Sequence, residues 1–179
     1  LVALKSAEVI TGYQFTQADG PEGVGAVETY DAAGRLQSIK TAGGWVHTLQ
    51  WSAADVAAEV APGEGYLIGV SDSSGRKLQL SYNEGGQLKE LKDPAGQVYT
   101  YSYDDSDNLV SVQDPSGLIR HYHYNEGDHV QIEGGTYGEA GSAGHLIHAL
   151  TGMSYEAAGV TTRFADYRYQ YDGRAVETT

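Results

Sequence analysis

Residues 75–96 read Gly75-Arg76-Lys77-Leu78-Gln79-Leu80-Ser81-Tyr82-Asn83-Glu84-Gly85-Gly86-Gln87-Leu88-Lys89-Glu90-Leu91-Lys92-Asp93-Pro94-Ala95-Gly96, and the same sentence then restarts. Tyr82, Tyr103 and Tyr124 stand 21 residues apart, as do Gly75, Gly96 and Gly117, and Asp72, Asp93 and Asp114. A fixed period of this length marks a repeat architecture, in which each copy is one supersecondary unit that needs its neighbours.

Each copy opens on an alternating run. In Gln97-Val98-Tyr99-Thr100-Tyr101-Ser102-Tyr103, period two puts Tyr99, Tyr101 and Tyr103 on one face of a strand. Leu78, Leu80 and Tyr82 repeat this, as do Trp45, His47, Leu49 and Trp51. The alternation predicts a ladder of rings, each stacking on the ring of the next copy. Five turn residues follow: DAAGR at 31–35, NEGGQ at 83–87, DDSDN at 104–108 and NEGDH at 125–129. The opening Asp or Asn can bond the backbone two residues on, and Gly34, Gly86, Asp107 or Asp128 at the fourth place suits a positive φ. A return strand follows, Leu36-x-x-Ile39, Leu88-x-x-Leu91 or Leu109-x-x-Val112, closed by Asp-Pro-x-Gly at 93–96 and 114–117. One repeat is therefore a β-hairpin of about 21 residues, and the chain is all-β, an array of antiparallel hairpins in a winding sheet.

The array extends in both directions. Tyr30 and Trp51 are in phase, with Gly23 and Gly44 ahead of them. Residues 1–22 read as a degenerate repeat in which Val9 takes the place of the aromatic and Phe15 that of the leucine. After Trp51 the second half reappears ten residues late, at Leu67-x-x-Val70, so 52–66 is an insertion; Ala53 to Val60 suits a short helix capped by Ser52. After Tyr124, Val130 keeps the return-strand spacing, and 133–144 reads as a Gly-rich loop. The pattern returns at Leu150-Thr151-Gly152-Met153, and Ala175 to Thr179 falls where another strand is due. On this reading 1–179 is a single array.

Composition agrees. Fourteen Tyr and 24 Gly against two Phe and one Met suit strands and tight turns rather than helices. A formal charge of −13 argues against nucleic acid and anionic membrane surfaces. With no Cys there is no disulfide, thiolate metal site or Cys nucleophile. No run approaches the roughly 18 apolar residues of a membrane-spanning helix. Leu1 to Lys5 lacks the pattern of a signal peptide, and the absence of an initial Met reads as a mature or excised piece.

Tyr30-Asp31-Ala32-Ala33-Gly34-Arg35-Leu36, Tyr103-Asp104 and Tyr171-Asp172-Gly173-Arg174 resemble the YD repeats of bacterial Rhs proteins, found also in wall-associated proteins, toxin-complex shells and teneurins. His145-Leu146 through Leu150-Thr151-Gly152-Met153 to Arg174 is similar to part of an Rhs core. The resemblance spans roughly 23–176. It implies a β-ribbon that winds into a hollow shell around a toxic C-terminal cargo, in an exported or surface protein of bacteria. Such shells hold many more repeats, and the family's self-cleaving segment and toxin have no counterpart here.

Candidate chemistry is sparse. His121 and His123 share a strand face and His129 follows, a spacing that suits a metal, although exposed strand residues explain it as well. Asp104-Asp105-Ser106-Asp107-Asn108 hints at calcium but lacks the Gly and distant Glu of an EF-hand, and other repeats fill the same turn without it. No nucleophile motif or phosphate loop appears, so the expectation is a non-catalytic structural protein without cofactor or metal. Its repeat positions are Tyr30, Trp51, Tyr82, Tyr103, Tyr124, Gly34, Gly86, Gly75, Gly96 and Gly117. Its partners would be further repeats and the cargo. Two alternatives stand beside this: glycan binding through Trp45, Trp51, Tyr99 and Tyr101 as ligand-facing rings, and self-association through open sheet edges.

Overall fold

The computed structural model describes residues 1–19, 23–138 and 146–178. Every regular element in it is a β-strand, and the chain divides into two units, Leu1–Gln97 and Val98–Thr179.

The first unit is an antiparallel sheet in chain order: β1 (Val2–Ser6), β2 (Val9–Asp19), β3 (Gly23–Asp31), β4 (Leu36–Lys40), β5 (Val46–Trp51), β6 (Leu67–Asp72), β7 (Lys77–Tyr82) and β8 (Leu88–Lys92). The second runs likewise through β9 (Val98–Tyr103), β10 (Leu109–Gln113), β11 (Ile119–Tyr124), β12 (Leu150–Ala157), β13 (Val160–Tyr169) and β14 (Ala175–Thr178).

One turn geometry serves both ends of the hairpins. In the Tyr-Asp turn Asp31 N donates to Arg35 O and Gly34 N to Asp31 O, and the same pair of bonds closes Thr41–Trp45, Asp72–Arg76, Asn83–Gln87, Asp93–Gln97, Asp104–Asn108, Asp114–Leu118 and Gln170–Arg174. This is a type I turn whose next residue is left-handed. Gly34, Gly75, Gly86, Gly96 and Gly117 occupy that place at φ between 79° and 88°, and Asp107 holds it at 65°. The opening carboxylate braces the loop: Asp31 Oδ1 accepts from Ala33 N and Arg35 N, and Asp72, Asp93, Asp104 and Asp114 repeat the pattern. The Ser74 hydroxyl and the Arg76 guanidinium hold the Asp72 carboxyl far below the usual carboxylate range.

The Leu-x-x-Val spacing has a structural cause. A strand alternates faces with period two, so residues three apart share a face only if the strand bulges between them. In every repeat it does. Tyr30 pairs with Leu36 and Thr29 with Ser38, leaving Gln37 extra. Trp51–Leu67, Tyr82–Leu88, Tyr103–Leu109, Tyr124–Leu150 and Tyr169–Ala175 repeat the register, with Ile68, Lys89, Val110, Thr151 and Val176 extra. The bulge returns the fourth residue to the face of the aromatic.

Several expectations change. The rings form no continuous stack, because outgoing strands alternate with return strands and so lie two strand spacings apart, about 9.6 Å. A leucine of the return strand sits between them. Ring pairs occur elsewhere, Tyr66 with Tyr82 at 4.9 Å and Tyr155 with Phe164 at 6.1 Å. Residues 53–60 form separate turns, Val56 N to Ala53 O and Val60 N to Ala57 O, instead of a helix. Ser52 closes that excursion, its hydroxyl donating to Gly63 O and accepting from Tyr66 N. Finally, Val130 does not open a return strand. Leu150 pairs with Tyr124, so 125–149 is a second excursion, and within NEGDH the positive φ is at Asn125, not Asp128. The Gly-rich stretch 133–144 falls within it, and residues 139–144 lie outside the described residues.

At the start of the chain Val9 opens β2 rather than ending β1. Ala7 and Glu8 alone make the turn, at φ 48° and 68°, the type I′ form of a two-residue hairpin.

Candidate functional surfaces

The registers give the sheet of the first unit two unlike faces. One carries Tyr30, Leu36, Ile39, Leu49, Trp51, Leu67, Val70, Leu78, Leu80, Tyr82, Leu88 and Leu91, all half-buried. The other is polar. Gln14, Thr29, Ser38, Thr48, Ser71 and Lys77 line up across six strands, and Gln50, Gly69, Gln79 and Lys92 form the next row. Among the described residues of the whole chain, the only buried apolar side chains are Ala61, Val130 and Ala165. Among the described residues the hairpins of each unit build one sheet and no second layer, so the apolar face is only half covered.

The repeat aromatics tie neighbouring hairpins together. Trp51 Nε1 donates to Leu36 O at 2.7 Å, Tyr82 OH to Leu67 O at 2.8 Å and Tyr169 OH to Leu150 O at 2.9 Å. In each case the ring at the end of an outgoing strand reaches back to the first residue of the preceding return strand. Tyr30 OH turns instead to Glu28 on its own strand. Tyr99, Tyr101, Tyr103 and Tyr124 are half-buried on β9 and β11. Trp45 lies outside β5, in the Thr41–Trp45 turn, and is 51% exposed.

The first excursion, 52–66, roofs a cleft of about 690 Å³ on its own unit, with Gln37, Thr48, Gln50, Ser71 and Lys77 among its lining. Its Val60 O accepts from Tyr82 N, and the Tyr66 ring covers Gly86 so closely that a Cβ there would strike it. The excursion is thus a clamp onto the following hairpin.

The second excursion is fastened by charge. Arg163 of β13 grips Glu126 through both carboxylate oxygens, 2.9 and 2.7 Å, and also reaches Thr151 O and Asp166 Oδ1. Thr151 Oγ1, fully buried, donates to Glu126 Oε2 at 2.7 Å. The Arg163 bonds hold the Glu126 carboxyl down at about 2. Gly152 makes this possible: its bare backbone lies directly under the Arg163 guanidinium, where any Cβ would collide. The same arrangement recurs on the first excursion's return strand, where Gly69 leaves room for the Lys77 side chain at 3.1 Å from a would-be Cβ. Only the repeats with excursions have Gly at that third strand position; the others have Ser38, Glu90, Ser111 or Glu177.

The histidines are distributed among separate partners. His121 Nε2 meets Glu156 Oε2 at 3.2 Å, His123 Nε2 meets the buried Ser154 Oγ at 2.8 Å, and His129 lies between Asp128 and Asp166. Burial, and then the charge of Arg163, push the His123 imidazole below its ordinary value. No cluster of three His, Cys, Asp or Glu with metal-binding geometry exists among the described residues. The Asp104 carboxylate is committed to its own turn, accepting from Ser106 N, Asn108 N and Asn108 Nδ2. The Glu126–Arg163–Asp166–His129 network was not foreseeable from spacing, since its members lie up to 40 residues apart and share no periodic position.

A bulged hairpin repeated in one register, with a ring bonded to the previous hairpin, defines a β-hairpin repeat protein. Residues 82–119 match the RHS Repeat family model. The match covers about a fifth of the chain, and hairpins outside it share the same bulged register. No curated protein matches it. Among solved structures it is similar to a chain of the Photorhabdus luminescens Tc holotoxin pore with a TccC3 mutation, at 16% identity and a TM-score of 0.51, covering 86% of this chain and 7% of that one. It is also similar to the crystal structure of TcdB2–TccC3–TEV, at 12% identity and a TM-score of 0.45, covering 92% of this chain and 10% of the other. At such identity the likeness to the holotoxin chain shows the fold alone. The chain spans a tenth or less of the length of these solved chains.

Proposed function

We propose that this chain is a non-catalytic wall segment of an RHS-repeat shell, which encloses or presents a C-terminal cargo in an exported bacterial protein. The observation that carries this reading is the one-layer sheet with unlike faces. A globular domain covers its apolar face with a second layer, and monomers rarely leave large apolar patches open. Here, each hairpin is instead completed sideways, by the bulge register and by ring-to-carbonyl bonds to its neighbour. Such a sheet suits a wall that continues in both directions, and the RHS repeats and the fold likeness to toxin-complex chains support the same reading. Further repeats and the cargo are then its partners.

Glycan capture fits less well. Trp45 is the most exposed candidate ring and stands by itself in a turn, while the Trp51 indole N–H is engaged at Leu36 O.

The test is the intact mass of the polypeptide as its source makes it, followed by protease digestion of the undenatured protein. A wall segment belongs to a much larger chain and shields a cargo segment that digests rapidly once the shell is unfolded. A native mass near 19.1 kDa, or a cargo equally digestible before and after unfolding, would refute the proposal.

A further inference from the structure

The strap Glu126–Gln131, which begins the second excursion, rests on β13 through the Glu126–Arg163 pair, through Val130, a fully buried residue, and through one imidazole. His129 Nδ1 lies 2.8 Å from Asp128 Oδ1, and Nε2 lies 2.8 Å from Asp166 Oδ1. An ionised carboxylate only accepts hydrogen bonds, so both ring nitrogens must carry a proton for both contacts to be hydrogen bonds. A neutral imidazole has one N–H to give. The geometry therefore describes an imidazolium, and because His129 is 8% exposed its charge is balanced by these side chains more than by water. The backbone moves with the ring: Tyr169 N donates to His129 O at 2.9 Å and Gln131 N to Tyr169 O at 3.0 Å.

We propose that His129 is a proton-dependent pin: the strap is seated on β13 while the imidazole carries two protons, and its open states gain population when the ring loses one. The charged surroundings favour the pinned form. The strap contributes Glu126 and Asp128, and β13 contributes Asp166. Against them stands the Arg163 cation of β13, already committed to Glu126 and Asp166. From β11 comes His123, disposed to stay neutral, and from β12 the uncharged Thr151. Burial of His129 works against its charge, but the bonds to Asp128 and Asp166 outweigh burial and raise it above the ordinary 6.5. A raised value means that the stabilisation is complete below the ordinary histidine value and is lost as pH rises through the folded one. The strap is thus closed in mildly acidic surroundings and loosened by alkali. Opening would uncover Val130 and the buried Thr151.

Amide hydrogen exchange on the whole chain tests this, at about pH 6 and about pH 9, corrected for base-catalysed intrinsic exchange. The strap amides are compared with the Asp72–Arg76 hairpin, whose carboxylate titrates far to the acid side. Strap protection is expected to fall by up to tenfold per pH unit between the ordinary and the raised histidine value, while the reference hairpin is unchanged. Asp128→Asn removes one of the two carboxylates at a side chain that is 75% exposed, so the fold survives and the loss of protection moves to lower pH. His129→Gln abolishes the pH dependence. Equal strap protection at both pH values would overturn the proposal, as would an Asp128→Asn profile identical to the parent or a pH-dependent strap in His129→Gln.

Discussion

Gly152→Ala offers a sharp probe of how the second excursion is held, because its effect should change sign with the residue at 163. Gly in a strand costs roughly 0.5–1 kcal/mol relative to Ala through backbone entropy. With nothing above it, the substitution should therefore stabilise. In the native protein a Cβ at 152 would collide with the guanidinium of Arg163 and lie 2.8 Å from its Nε. Relief requires moving a group that makes bonds of 2.9 and 2.7 Å to Glu126, 3.0 Å to Thr151 O and 2.7 Å to Asp166. Bonds to charged groups contribute about 1.5–3 kcal/mol each at best. Arg163 is 30% and Glu126 31% exposed, so solvent screens part of this and water re-pairs some of the freed groups. Displacing the guanidinium should then cost about 2–4 kcal/mol, which leaves a net loss of about 1–3 kcal/mol after the entropic gain. Arg163→Ala alone should lose a similar amount. Adding Gly152→Ala to it should recover about 0.5–1 kcal/mol. Urea unfolding of the four proteins in a double-mutant cycle measures this, provided each shows a two-state transition. Additive losses, with coupling below about 0.5 kcal/mol, would refute the claim that Gly152 is there to seat Arg163.

Three further outcomes follow from the geometry. Gly34→Ala meets nothing within 4 Å and should lose only the left-handed penalty, about 1–2 kcal/mol, whereas Gly86→Ala also displaces Tyr66 and should lose more; thermal melts that rank them equally or in reverse would contradict the clamp assigned to the first excursion. Replacing Ala7-Glu8 by Asn-Gly relieves two left-handed residues in the type I′ turn and should stabilise the first hairpin by about 1–2 kcal/mol, read as slower amide exchange in β1. Glu126 is depressed in the folded state from 4.5 to about 2, so its stabilisation is present above 4.5 and lost as pH falls through about 2. Unfolding of Glu126→Gln should accordingly be less stable at neutral pH and flatter across that acid window, and parallel profiles for variant and parent would contradict the assignment.

Much of this protein is written locally. The opening Asp and the left-handed Gly or Asp107 lie within five residues of each other, and each turn is stable by its own hydrogen bonds, so the sequence by itself determined where the 21-residue hairpins bend. Period-two alternation likewise marked the outgoing strands, because a strand shows its two faces within a few residues. Tertiary structure decided which segment pairs with which. Val130 and Leu150 both offer an apolar residue after Tyr124, and the NEGDH stretch resembles every other turn. Leu150 pairs because Thr151 and Gly152 behind it can take the bulge and admit Arg163, while Val130 belongs to a strap whose charges meet β13 and is buried there. Those partners lie up to 40 residues apart, beyond the reach of any local pattern. The bulge was half legible: Leu-x-x-Val is its trace, but a spacing of three acquires that meaning only when a neighbouring strand supplies the register against which one residue is extra. For the same reason the aromatic rings, alike in sequence, part company in the fold, Trp51 and Tyr82 bonding the preceding hairpin while Trp45 stands exposed in a turn.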